Sequence, residues 1–193
     1  TDECDVSVVS GVFWDMNEFD IHSMAFLNTL VTKPEYQDNP TKASRPFDTK
    51  RCGFVPSHGA GTIILEDLEH AKKRGAKIYA ELLYVGANSN ANHLPAPSED
   101  IQGKLMKSVV ERAGLKPEDV DYVNCHATST PLGDIKELNA IKKAFGDHAY
   151  KLKLNAPKSM LGHTTWAAPI VETIAGILQM QNNKLHGSIN IDE

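Results

Sequence analysis

Two short motifs hold the residues of this chain best suited to chemistry: N-C-H-A-T-S-T-P-L-G-D at 124–134 and K-S-M-L-G-H at 158–163. His126 follows the apolar run Val120, Tyr122 and Val123, where a buried strand is expected to end. His163 follows a second short strand around Leu152 and Leu154, and it stands where a long helix is expected to begin. Side chains at the carboxyl ends of neighbouring strands in an α/β sheet project into one crevice. The two imidazoles and the ammonium of Lys158 are therefore expected to converge. Donors of this kind stabilise an oxyanion, but no nucleophile accompanies them.

Taken together, H-x-T-x-T-P-x-G-D and K-S-M-x-G-H resemble the 3-oxoacyl-(acyl-carrier-protein) synthases, the ketosynthase or condensing-enzyme family with a thiolase-like fold. The resemblance extends through N-P-T-K-A-S-R-P-F-D-T-K-R-C-G-F-V at 39–55, G-A-G-T-I-I-L-E at 59–66, H-A-K-K-R-G-A-K-I-Y-A-E at 70–81 and S-I-N-I-D-E at 188–193. It implies an α/β, five-layer αβαβα sandwich built from two similar halves. Residues 1–193 are then expected to be a single segment, the end of the first half plus most of the second. The nucleophile elbow is expected upstream of it and a glycine-rich hairpin downstream.

The resemblance also implies roles. His126 and His163 would stabilise the enolate left when a malonyl thioester loses CO2, acting as neutral N–H donors that bind the transition state more tightly than the ground state. Lys158 and Glu137 would form a supporting ion pair. Thr128 and Thr130 would contact the phosphopantetheine arm of an acyl carrier protein, which enters as carried substrate and not as a cofactor. The threonines also have a plain reading, as strand-end residues satisfying local backbone groups, and Glu137 alone has one as a surface charge on a helix. At His163, the partial positive charge of the expected helix N-terminus would disfavour the imidazolium.

Composition sets limits on the other function classes. The 193 residues suffice for one domain with a sizeable core, and 41% hydrophobic with 23% charged residues is ordinary for a globular protein. A formal net charge of −5 with scattered Lys and Arg argues against nucleic-acid binding. No apolar run is long enough to span a membrane and no export signal is read at the start, so a cytoplasmic location is expected. Cys4, Cys52 and Cys125 are widely spaced and odd in number, which suggests free thiols. Cys125 adjoins His126, but successive strand residues point to opposite faces, so a Cys–His catalytic pair is not expected. Ligand spacings typical of zinc are missing, so no metal is expected. Lys42, Arg45, Lys50 and Arg51 are the densest basic stretch, either a solvated loop or a docking patch for an acidic carrier protein.

Periodicity places the elements: a strand at 5–11, a helix near 19–31 and an irregular loop at 32–50. A second strand at 61–65 and a third at 77–85 flank a short helix at 67–74 stopped by Gly75. A loop at 86–98 and a helix at 101–113 come next, then the strand before His126, a helix at 132–145 and a last helix at about 163–181. Alternating strands and helices indicate an α/β architecture. Three departures from the family pattern stand near the site: His58 where an acid is usual, Ala127 where glycine is usual, and Trp166 with Pro169 in place of small residues.

The expected function is decarboxylative Claisen condensation of an acyl thioester with malonyl carrier protein in fatty acid or polyketide biosynthesis, by a homodimer. Two alternatives stand beside it: a malonyl carrier protein decarboxylase of the same fold from a polyketide β-branching cassette, and a non-catalytic ketosynthase partner subunit. Retention of both histidines and the lysine argues against the last.

Overall fold

The computed structural model describes residues 4–13, 15–92 and 96–193. Pro95 of the expected 86–98 loop and the first three residues lie outside them. The chain divides into two compact units: Thr1–Asp15, Ser57–Leu82 and Thr164–His186 form one, and Met16–Pro56, Leu83–His163 and Gly187–Glu193 the other.

In the first unit, β1 (Val6–Val12) pairs antiparallel with β2 (Ala60–Glu66), in register from Val6 opposite Glu66 to Val12 opposite Ala60. Both strands alternate between exposed and half-buried residues along most of their length, as expected of a ladder covered on one face. The covering element is α7 (Ala168–Gln181), whose Ile170 lies against Gly11 and Gly61. The helix α3 (Leu68–Lys73) starts on Asp67, whose side chain accepts the N–H of His70, and it ends just before Gly75. Acceptors at this position satisfy N–H groups that the helix itself leaves unpaired.

The second unit contains the two motifs. α1 (Glu18–Phe26) opens with an Asn17–Asp20 capping box. α2 (Pro34–Asp38) and a 3-10 turn at Pro40–Lys42 interrupt the expected loop, each with proline in its first turn. α4 (Glu99–Arg112) packs beside α5 (Pro131–Phe145), and Glu99 ties them together by accepting from Lys136, Asn139 and Lys143. β3 (Tyr122–Asn124) and β4 (Lys153–Asn155) run parallel, and α6 (Lys158–Leu161) follows β4 closely. Cys125, Ala127, Ile141, Phe145, Leu152 and Ala156 form the core behind them.

Four expectations are corrected. Residues 77–85 form no strand among the described residues, and Ile78, Leu82, Leu83 and Val85 are exposed; strand propensity is realised only against a ladder partner. The helix read over 19–31 stops at Phe26, with Phe19 and Phe26 exposed rather than packed. The last helix begins at Ala168, not at His163. Gly162, at φ +69, ends α6 in a conformation that L side chains rarely adopt, and Pro169 in the first turn of α7 fixes where the long helix restarts. Fourth, the basic stretch is open only at Lys42 and Lys50, which are exposed. Arg45 is buried against Asp48, and Arg51 donates to the carbonyls of Thr130 and Pro131.

Candidate active site

The parallel pair β3 and β4 sets the site. His126 comes two residues after β3, and Lys158 comes three residues after β4 as the first residue of α6. The His126 and His163 rings meet edge-on, with centroids 5.3 Å apart and planes at 84°. Phe54 also packs edge-on against His163, at 4.9 Å. The backbone N–H of His163 donates to Val55 at 2.7 Å, which holds the residue in a turn between α6 and α7.

Lys158 is 2% exposed, and its Nζ lies 3.5 Å from Nδ1 of His126. An ammonium has only donors, so this contact makes Nδ1 the acceptor and assigns the ring proton to Nε2. His126 is then a neutral donor through the nitrogen turned away from Lys158.

Both imidazoles are held below the ordinary histidine range. For His126, pushed down to about 3, burial acts first, then the Lys158 charge, then His163. For His163, pushed down to about 4, burial acts first and Lys158 second. The residue His126 is itself exposed in the described chain, so solvent screens part of this effect, while the direction follows from the neighbouring charge. The N-terminus of the long helix, expected at His163, lies five residues further on and does not begin at the ring.

Glu137 projects from α5 onto the backbone of the His126 turn. Its two carboxylate oxygens accept the N–H groups of His126 at 2.6 Å and Ala127 at 2.7 Å. Successive N–H groups converging on one anion form a concave nest. This nest accommodates Ala127 at φ 27 and is followed by Ser129 at φ 67. Sequence reading made Glu137 the ion partner of Lys158; its hydrogen bonds run to the backbone instead, and Lys158 is the last of the influences on its acidity, behind burial.

The hydroxyls of Thr128 and Thr130 lie 3.0 Å apart. Both residues are half-buried, and Thr130 caps α5 without using its hydroxyl on the helix. Each hydroxyl therefore keeps acceptor capacity for a further partner. Cys125 is fully buried in the core, with Sγ near the carbonyl of Val123. Among the described residues no group of three or more His, Cys, Asp or Glu can hold a metal ion, and no helix is long and apolar enough to cross a membrane.

Sequence reasoning missed Phe54, which wedges His163, and Ser129 and Asp134, buried polar residues behind the His126 turn. Asp134 accepts the N–H of Phe47 at 2.8 Å, and Ser129 accepts that of Arg45 at 3.2 Å. Their signal was the polar wording of 129–134 itself, which was read for the threonines alone. Of the departures, His58 packs on Phe13 and sits 3.4 Å from Asp15, while Trp166 is exposed.

Residues 79–192 match the family model "Beta-ketoacyl synthase, C-terminal domain", and residues 1–71 match "Beta-ketoacyl synthase, N-terminal domain". The chain is 42% identical over 192 residues to 3-oxoacyl-[acyl-carrier-protein] synthase 2 of Coxiella burnetii, covering 98% of this chain and 46% of that relative. It is 41% identical to the protein of the same name from Rhizobium meliloti, of which it covers 45%. The chain thus spans about half the length of the relatives it matches. Among solved structures, a type II PKS acyl-carrier protein in complex with its ketosynthase bound to the hexaketide superposes with a TM-score of 0.92 at 34% identity, covering 97% of this chain and 46% of that one. A beta-ketoacyl synthase from Burkholderia phymatum superposes at 0.91 with 33% identity, covering 98% of this chain and 45% of that one. These likenesses show the thiolase-like α/β fold.

Proposed function

The chain belongs to the beta-ketoacyl synthase family, and we propose that it carries the decarboxylating half of a 3-oxoacyl-(acyl-carrier-protein) synthase site for fatty acid or polyketide assembly. The observation that carries this reading is the pair of edge-on imidazoles, 5.3 Å apart, with the Lys158 ammonium 3.5 Å from Nδ1 of one of them. Two neutral N–H donors can then face a single developing oxyanion.

The reaction runs in two steps. The carboxylate of a malonyl thioester leaves as CO2, and the electron pair of the broken C–C bond moves into an enolate whose charge gathers on the thioester oxygen. His126, through Nε2–H, and His163 donate to that oxygen. The enolate carbon then attacks an acyl thioester carbonyl, a C–C bond forms, and the thiolate that held the acyl group departs. That thiolate is assigned to no cysteine of residues 1–193: Cys125 is fully buried in the core, and Cys4 and Cys52 stand outside the two histidine motifs. Glu137 holds the His126 turn, and of Thr128 and Thr130, whose hydroxyls share one hydrogen bond, the one that accepts in it keeps its own proton to donate to an amide carbonyl of the phosphopantetheine arm.

The partner is an acyl carrier protein, and the working form is a homodimer. Support for a covered surface comes from Val6, Val8, Val12 and Ile64, exposed together on the outer face of β1 and β2. The free thiols of Cys4, Cys52 and Cys125 suit a reducing, cytoplasmic compartment. The test is product analysis by the full-length protein given acyl and malonyl carrier proteins. A 3-oxoacyl carrier protein is expected. Release of CO2 with only acetyl carrier protein formed would move the assignment to a decarboxylase, and the absence of both would overturn it.

A further inference from the structure

We propose that the buried Arg45–Asp48 pair, with Ser44 beside it, positions Lys158 and the His126 turn by strapping residues 188–193 behind them. This goes beyond the catalytic reading and rests on it for the importance of Lys158.

The hub is the Asp48 carboxylate, which is 0% exposed. Four donors converge on it: Arg45 Nε at 2.7 Å and the backbone N–H groups of Lys50 at 2.8 Å, Asp192 at 2.7 Å and Glu193 at 3.2 Å. The Arg45 guanidinium also donates to the Asp192 carboxylate at 2.8 Å. Arg45 holds Asp48 well below the usual carboxylate range, so the pair stays charged. A buried carboxylate with every donor in place is rigid, and losing one partner of such a pair is costly.

From this hub the contacts run to the backbone that carries the proposed chemistry. The Ser44 hydroxyl donates to the carbonyl of Lys158 at 2.5 Å, and the N–H of Arg45 donates to Ser129 Oγ at 3.2 Å. The strapped segment grips both flanks of Lys158. Ala156 N–H donates to Ser188 Oγ at 2.9 Å, and Ile189 N–H donates to Ser159 Oγ at 3.1 Å. Asn190 closes the strap by donating to the carbonyls of Thr41 and Ser44. A lysine side chain is long and flexible, so the position of its ammonium beside His126 depends on a fixed backbone beneath it.

The readout is the titration of those rings. The charged and titratable groups around them are Lys158, each other, and Glu137 on the backbone of 126–127, with Asp134 near Glu137 on the same helix. The experiment is histidine-resolved NMR titration of the full-length protein with Ser44→Ala, Ser44→Thr, Asp48→Asn and, as the benchmark, Lys158→Met. Ser44→Ala and Asp48→Asn should each raise the His126 titration in the same direction as Lys158→Met, by at least about half a pH unit. Ser44→Thr, which keeps the hydroxyl, should restore the native value. If Asp48→Asn does not fold, Ser44→Ala decides alone, since it removes a single hydroxyl from a half-buried residue. A folded Ser44→Ala protein with an unmoved His126 titration overturns the proposal. Because the measurement needs no turnover, it stands apart from the test of the reaction itself.

Discussion

Replacing Lys158 with methionine removes the ammonium that faces His126 while keeping an unbranched side chain in a site that is 2% exposed. The charge sits 3.5 Å from Nδ1. Two unit charges at that separation repel by about 1.2 kcal/mol in bulk water and about 4.7 kcal/mol at an effective dielectric of 20. At about 1.36 kcal/mol per pKa unit, those limits correspond to roughly 0.9 and 3.5 units. Since His126 is exposed in the described chain, screening favours the lower end, a rise of about 1 to 2 units. His163, on which Lys158 is the second influence, should move in the same direction. The assay is NMR titration of labelled histidines between about pH 3 and 8, with the folded state checked by circular dichroism. A folded Lys158→Met protein whose His126 titrates where the native ring does would refute the electrostatic account of the site.

Three further outcomes are expected. Because both imidazoles are depressed, to about 3 and about 4, the unfolded chain binds protons that the folded chain refuses. Stability from this source is complete above about pH 6.5. It is lost as pH falls from there through the folded values, so a urea-midpoint series should slope in that window and flatten in the His126→Asn, His163→Asn double variant. Glu137→Gln puts an amide N–H against one of the two backbone N–H groups now held at 2.6 and 2.7 Å; denaturant unfolding should show a loss of about 1–3 kcal/mol, and an unchanged midpoint would count against the nest. Gly53→Ala should destabilise by about 1–3 kcal/mol or more. Gly53 stands at φ +149, where an added Cβ would lie 2.3 Å from the carbonyl carbon of Leu30, and a variant melting with the native protein would contradict that geometry.

Much of this site was legible in the sequence, because strand ends are marked by apolar runs and the two motifs follow them directly. His126, His163 and Lys158 converge as their places after β3 and β4 require. The role of Glu137 was not legible. Helical spacing fixes its direction along α5, but its partner depends on a turn in which Ala127, a non-glycine residue, takes positive φ. The start of the last helix was misread although Pro169 marked it; the apolar run after His163 drew the boundary five residues too early. The burial of Arg45 was not legible: Asp48 stands only three positions away, but the chain that covers the pair, through the second acceptor Asp192, lies 147 positions away, a distance that no local pattern crosses. Residues 77–85 have the composition of a strand, yet composition supplies only one side of a ladder.

The account stands most directly on CO2 release from malonyl carrier protein by the full-length protein, measured for the native form and for His126→Ala and His163→Ala. Each variant removes one donor from the developing enolate oxygen, and loss of one such donor lowers rates by about 10²–10³. The account predicts falls of that order in both variants, with acyl loading of the nucleophile retained. Native rates of CO2 release in both variants would contradict it.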